Sequence, residues 1–220
     1  MLFRSHINKV VEVYKELLEE ISKLDEEIVV QFDEPLFVKD LDSKVLSLIK
    51  PVYDALASVT PNIKIVVTTY FEHSNEATKI LVNTPIWALG LDFIYGNKNF
   101  EAIELIKNSN KVLIAGVIDG RNIWKSNFQD KIQLLNKISK VVNKENIIVG
   151  TSCSLLHVPF SLKYEDNLDK EIKSWLAFAN EKLQELSLVS KQFFDFKLNL
   201  DEVSIIRKNK FKTTNQATDN

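Results

Sequence analysis

Side chains able to do acid–base, nucleophilic or ion-pairing chemistry gather at five places in this 220-residue sequence: Asp33-Glu34-Pro35, Thr68-Thr69-Tyr70, Asp92, Asp119-Gly120-Arg121-Asn122, and Ser152-Cys153-Ser154 with His157. Two carboxylates before a proline that stops an extended run suit either acid–base work or a simple cap. Asp92 lies in an apolar run, Leu89-Gly90-Leu91-Asp92-Phe93-Ile94, so an inward charge there needs a metal or a partner, for which Arg121 is a candidate. Asp119 to Asn122 reads equally as a ligand-binding loop or as a turn with its own salt bridge. Cys153 and His157 stand four apart, close enough to share a site. A nucleophile also needs a base, an orienting group and oxyanion donors, so no covalent catalysis is assigned to Cys153. Glu72-His73 reads as a solvated surface pair, and His6 suggests nothing. Three histidines and one cysteine, scattered in this way, make no convincing metal set. The candidates are therefore Asp33, Glu34, Thr69, Asp92, Asp119, Arg121, Asn122, Ser152, Cys153 and His157, as binding or rim residues with no catalytic or metal role assigned.

What must position them is a series of short β-branched runs: Ile28 to Phe32, Ile63 to Val67, Ala88 to Phe93, Val112 to Val117 and Ile147 to Val149. Their starts are 35, 25, 24 and 35 residues apart, room for a strand plus a crossover helix and too much for hairpins. Parallel strands follow. The runs are nearly continuous in apolar residues, which predicts burial on both faces. Helical periodicity fills the intervals, over Leu2 to Leu24, Ser43 to Ser58, Ser74 to Val82, Asn99 to Lys107, Phe128 to Val142 and Leu168 to about Ser190. In the first helix Phe3, Ile7, Val10, Tyr14, Leu17, Ile21 and Leu24 form one stripe, read as a sheet-packing face rather than a coiled coil. In the last, Ile172, Trp175, Ala179, Leu183 and Leu186 share one side.

The chemistry-bearing residues thus sit at strand carboxyl ends, where a (β/α)8 barrel gathers its functional loops and an open doubly wound sheet forms a crevice. No Gly-x-Gly-x-x-Gly and no Walker-type loop follows any strand, so the usual phosphate cradle is missing and the barrel reading is preferred. The expected fold is α/β, a partial (β/α)8 TIM-type barrel of about five parallel strands with outer helices. Residues 1–206 form that domain. Residues 207–220, with Arg207, Lys208, Lys210 and Lys212 against Asp219 and no apolar period, read as a polar tail or linker.

Composition excludes several classes. With 45% hydrophobic and 26% charged residues the chain is globular, and 28 Lys+Arg against 30 Asp+Glu gives a net charge of −2. That is no electrostatic footprint for nucleic acid or an anionic membrane. No apolar stretch approaches a membrane span. A single cysteine permits no intrachain disulfide, and the start MLFRSHINKVVEVYKE has no secretory apolar run, so a reducing, cytoplasmic setting is expected.

Six strings, taken in order, resemble a known family: Gln31-Phe32-Asp33-Glu34-Pro35, Val67-Thr68-Thr69-Tyr70-Phe71, Leu91-Asp92-Phe93, Val117-Ile118-Asp119-Gly120-Arg121-Asn122-Ile123-Trp124, Ser152-Cys153-Ser154-Leu155-Leu156-His157-Val158-Pro159 and Lys173 to Ala179. The family is cobalamin-independent methionine synthase, through its amino-terminal domain, and the likeness covers most of residues 10 to 195. The resemblance implies two (β/α)8 barrels related by duplication, with methyl transfer from 5-methyltetrahydropteroyl-triglutamate to homocysteine. It implies a zinc ion holding the thiolate in a carboxyl-terminal barrel that this chain lacks. The present strands would be the fourth to eighth of the amino-terminal barrel. Within it Cys153 resembles the place of one zinc-binding cysteine, Thr68 to Tyr70 stand where the catalytic copy has His-x-Cys, and Asp92 falls near its glutamate ligand. That set is degenerate, so no cofactor is expected in this chain. The implied partner is a complementary fragment with the missing strands and catalytic barrel, or a second copy. The alternative function is a non-catalytic folate-binding or assembly module.

Overall fold

Five strands lie side by side in sequence order in the computed structural model, which describes residues 2–216: β1 (Ile28–Asp33), β2 (Ile63–Thr69), β3 (Ala88–Asp92), β4 (Val112–Ile118) and β5 (Ile147–Thr151). Every pairing is parallel, and only β4 with β5 shows a register irregularity, between Gly116 and Ile118. The order never reverses, so there is no switch point of the doubly wound kind. α1 (Leu2–Ile21) leads into β1, and the helices joining the strands are α2 (Ser43–Leu56), α3 (Asn75–Leu81), α4 (Asn99–Lys107) and α5 (Phe128–Ser139).

Local chemistry sets the helix starts. The Asp42 carboxylate accepts from the N–H groups of Lys44 and Val45, and Asn127 does the same for Gln129 and Asp130 at α5. Outward-facing strand residues Ile63, Ile65, Val67, Leu89, Leu91, Leu113, Ala115, Ile147 and Val149 pack with Leu18, Tyr53, Leu81, Ile103, Leu135 and Val189 into one core between the sheet and the helices. The opposite face is crowded differently. Gly90 stands opposite Ile114 and Gly116 opposite Gly150. A Cβ on Gly90 would meet Thr68 Cγ2 at 2.5 Å, and one on Gly150 would meet Ile114 Cγ2 at 2.8 Å. Side chains converge on this face, as on the inside of a curved sheet.

Three expectations need correction. First, β1 is not buried on both faces: it alternates half-buried and exposed, with Val29 50% exposed, because Val29 points to the helix-free face, which an open sheet leaves uncovered at its edge strand. The apolar stripe of α1 is likewise only part-covered. Leu18 is buried and Tyr14 meets the Phe32 ring, while Val10, Val13 and Leu17 stay exposed. Second, the long helix expected from Leu168 is two, α6 (Lys170–Trp175) and α7 (Ala179–Phe193). Between them Leu176 bridges Trp124 antiparallel and the Ala177 N–H donates to the Ile123 carbonyl at 2.8 Å, a tertiary pairing that helical periodicity does not reveal. The inward side of α7 holds Lys182, Glu185, Leu188 and Val189, and Leu183 is exposed. Third, the stretch read as a polar tail from Arg207 belongs in its described part to α8 (Leu200–Gln216). Asn209 anchors it, accepting from the Phe128 N–H and donating to the Ser126 carbonyl at the start of α5. No helix among the described residues is long and apolar enough to cross a membrane.

Candidate functional site

At the ends of β1 and β2, Asp33 Oδ1 accepts from Thr68 Oγ1 and from Gln31 Nε2, both at 2.7 Å, and the same Gln31 amide donates to the Tyr70 hydroxyl. Glu34 turns the other way, beneath α2, where the Tyr53 hydroxyl donates to Oε1 at 2.5 Å. Burial pushes the Glu34 carboxyl up, and the Asp33 charge adds to it; the Tyr53 hydrogen bond offsets part. The two neighbouring carboxylates therefore serve different surroundings and do not act as a pair. Thr69 points into a buried hydroxyl cluster, 2.8 Å from Ser74 Oγ, with a longer bond to the Gly90 carbonyl.

Asp92 is fully buried, and its expected partner is not Arg121. Oδ1 accepts from the N–H groups of Ile94 at 2.7 Å and Tyr95 at 3.1 Å, closing a turn at the strand end, and Oδ2 has no hydrogen-bond partner. Burial raises this carboxyl to about 6, against those two backbone bonds, with the Asp119 charge contributing. Asn99 braces the same turn, donating to the Asp92 and Glu72 carbonyls and accepting from the Ser74 N–H.

Asp119 organises the β4 end without an ion pair. Oδ1 accepts from the N–H groups of Arg121 and Asn122; Oδ2 accepts from the Tyr95 hydroxyl at 2.8 Å and the Asn122 amide at 2.6 Å. The internal salt bridge considered for this loop does not form. Ser152 accepts from the Gly120 N–H, and Cys153 lies beneath the same glycine, whose Cβ would come 2.9 Å from Sγ. Cys153 is buried and burial pushes its thiol up to about 11, so it is a packed thiol rather than a nucleophile. His157 is exposed in a short 3-10 turn, its ring edge-on to Phe71 at 5.4 Å, so it shares no site with Cys153.

The Arg121 guanidinium instead lies over two aromatic rings, 4.7 Å from the Tyr95 centroid and 5.5 Å from that of Phe71. Phe71 takes φ 84°, a left-handed conformation that a bulky residue rarely adopts. Arg121 and Phe71, with Pro35, Val38, Lys39, Glu72 and His157, line an open groove of about 550 Å³. Glu72 and His73 form an exposed pair at 3.9 Å.

Sequence reasoning missed a polar layer behind this mouth. Lys182 is 0% exposed and donates to the Trp124 carbonyl at 3.1 Å and to Asn122 Oδ1; Glu185 Oε1 accepts from the Ser126 N–H. Burial lowers the Lys182 ammonium and raises the Glu185 carboxyl, each opposed by the other's charge. Tyr53, Phe71, Tyr95 and Asn99 were missed too. Their only signal was position: Phe71 and Tyr95 stand two and three residues past a strand end, Asn99 opens α4 and Tyr53 lies on the buried face of α2.

The degenerate zinc positions were tested by their chemistry. Thr69 is engaged in hydroxyl bonds, Asp92 Oδ1 in backbone bonds, and Cys153 is a single protonated thiol. Among the described residues no group of three or more His, Cys, Asp or Glu side chains is placed to hold a metal ion. These residues do not fit zinc, whose sites use three or four protein ligands.

An unbroken parallel order, helices sharing one core on one face and polar strand ends on a common mouth define a barrel-type α/β domain left open at two edges. Residues 2–143 match the model of the cobalamin-independent synthase N-terminal domain, and the chain belongs to that family. It is 49% identical over 201 residues to a 5-methyltetrahydropteroyltriglutamate–homocysteine methyltransferase from Desulforamulus reducens, covering 91% of this chain and 26% of that protein. The corresponding chloroplastic protein 3 of Arabidopsis thaliana is 37% identical over 191 residues, 86% of this chain and 23% of its own length. The chain thus spans about a quarter of the curated relatives it matches. A B12-independent methionine synthase from Shewanella sp. W3-18-1, solved in complex with selenomethionine, shares the fold with TM-score 0.63 at 17% identity, over 84% of this chain and 53% of that one.

Proposed function

We propose that this chain supplies the open half-barrel of a cobalamin-independent methionine synthase. The rest of that enzyme closes it, and the assembled protein moves a methyl group from 5-methyltetrahydropteroyltriglutamate to homocysteine, the reaction named for its relatives. In that assembly the chain provides wall and mouth, with Asp33, Glu34, Thr69, Asp92, Asp119, Asn122 and Ser152 holding the strand-end loops in place. The chemical step and its metal belong to the remainder.

The observation that carries this reading is the unfinished edge. Among the described residues β1 lacks a neighbour on one side, and α1, the helix leading into it, carries exposed Val10, Val13 and Leu17 beside its buried face. At 100° per residue this apolar arc runs well past the side that packs on the core. α2 packs between α1 and α3, and α3 between α2 and α4, whereas α1 packs on α2 and, through Tyr14, on Phe32 of β1. A further parallel strand with its helix would pair with β1 and cover that arc, removing an edge that otherwise invites aggregation.

The test replaces the matched segment of the Desulforamulus reducens enzyme by this chain and measures homocysteine methylation. Activity well above that of the same enzyme with the segment deleted is expected. Activity no higher than the deletion would overturn the assignment. Light scattering on the purified chain checks the occupant of the edge: a stable dimer that persists in the chimera would mean that α1 and β1 pair with a second copy instead.

A further inference from the structure

We propose that the groove at the ends of β1, β2 and β4 is a receptor for a carboxylate anion, with the Arg121 guanidinium as its principal contact and Lys39 and His157 beside it. The inference goes beyond the proposed function, because it concerns a property of this chain's own groove.

The argument begins with what Arg121 does not do. Its neighbour Asp119 is the obvious partner, yet both Asp119 oxygens are engaged by the Tyr95 hydroxyl, the Asn122 amide and the N–H groups of Arg121 and Asn122. No ion pair or side-chain hydrogen bond of Arg121 occurs among the described residues. The charge is nevertheless held in place. Tyr95 and Phe71 contact the guanidinium through ring faces at 4.7 and 5.5 Å, which fix its plane and consume none of its five N–H donors. Each ring is itself fixed, Tyr95 by its bond to Asp119 and Phe71 by the edge of His157 and by a backbone at φ 84°. Bulky residues held in such conformations cluster at ligand clamps.

The groove then selects the anion. Lys39 and Arg121 outweigh Glu72, so the lining is net positive. A planar guanidinium matches a carboxylate through two parallel N–H···O bonds. Pro35 and Val38 add an apolar wall suited to the hydrocarbon body of an organic acid. A bare phosphate would use neither that wall nor any glycine-rich loop of this chain, since none follows a strand. The carboxylate could belong to a free acid or to an acidic side chain in the remainder of the enzyme; the chemistry at Arg121 is the same.

The probe is sodium glutarate, titrated calorimetrically into the full chain at constant ionic strength, with inorganic phosphate as the competing anion. Saturable glutarate binding is expected, weakened at least tenfold in Arg121→Gln and also in Arg121→Lys, which keeps the charge and loses the fork. Lys39→Gln should weaken it less. Circular dichroism of each variant verifies the fold, and if Arg121→Gln fails to fold, Arg121→Lys carries the test. Absence of saturable binding, binding unchanged in the Arg121 variants, or tighter binding of phosphate than of glutarate would each overturn the proposal. Repeating the titration in the Desulforamulus reducens chimera assigns the source: retained binding means a free acid, and loss on assembly means a carboxylate of the remainder already seated there. Binding by the isolated chain reads the groove even if the chimera proves inactive, so the two proposals fail separately.

Discussion

Replacing Asp92 by Asn should stabilise the chain, and more so as the pH rises. Asp92 is fully buried, Oδ2 has no partner, and burial lifts its carboxyl from the ordinary 3.8 to about 6. Between those values the folded chain keeps a proton that the unfolded chain has released. Stability therefore falls as pH climbs from about 4 to about 6, and above that range the whole penalty is in force. At 1.36 kcal/mol per pH unit that penalty is at most about 3 kcal/mol. Asn keeps an oxygen to accept from the Ile94 and Tyr95 N–H groups and carries no charge to desolvate. Urea unfolding of both proteins, followed by tryptophan fluorescence, gives the difference in stability at each pH. That difference should move in favour of Asp92→Asn by about 2 kcal/mol between pH 4.5 and 8, whatever constant offset the amide brings. A flat difference would mean that Asp92 titrates normally. A difference moving the other way would mean that its ionised form is stabilised, by Arg121 or by an unrecognised donor, and the burial argument would fail.

Tyr53→Phe should cost about 2 kcal/mol in urea unfolding, since it strips the part-buried Glu34 of its charge-assisted donor, and the loss should shrink in acid where Glu34 is protonated. Gly116→Ala should destabilise by roughly 1–3 kcal/mol, because its Cβ would stand 2.8 and 2.9 Å from the carbonyl oxygens of Thr151 and Leu91, which cannot move without the sheet. Gly150→Ala meets the Ile114 Cγ2 methyl at 2.8 Å rather than backbone oxygens and should cost less in the same assay. Cys153 should resist iodoacetamide at pH 8 in the folded chain by at least about 100-fold relative to the chain in urea, as burial and a thiol pushed up to about 11 both require; comparable rates would place the thiol at the surface.

The strands were legible because five apolar β-branched runs at crossover spacing admit few arrangements, and all five begin and end within two residues of expectation. The strand ends were legible as a mouth for the same reason. What each residue does there was not, because the decisive partners are side chains distant in sequence: Tyr53 for Glu34, Thr68 for Asp33, Tyr95 for Asp119. Asp92 Oδ1 and Asp119 Oδ1 each accept from the backbone of a turn they close themselves, a local solution that a count of charges reads as a demand for ion pairs. The break between α6 and α7 escaped notice because the antiparallel bridge of Leu176 to Trp124 outweighs a continuous helical pattern. The helix over the carboxyl-terminal basic stretch was missed for a related reason. Its apolar face is short, and Asn209, a polar residue, makes the anchoring contacts.

The glycines on the helix-free face bear on how an open barrel can be useful. Gly90, Gly116 and Gly150 stand in adjacent strands where a Cβ would strike a neighbouring strand's atoms within 3 Å. These close approaches tie the shape of the sheet to the register of this chain's own strands. β1 is already paired with β2 along its whole length before any partner arrives. A complementary segment then meets an edge already shaped for parallel pairing, and less of its binding energy is spent on ordering this chain. If closure created the curvature instead, Gly116→Ala would be tolerated in the isolated chain and costly only in the assembled enzyme.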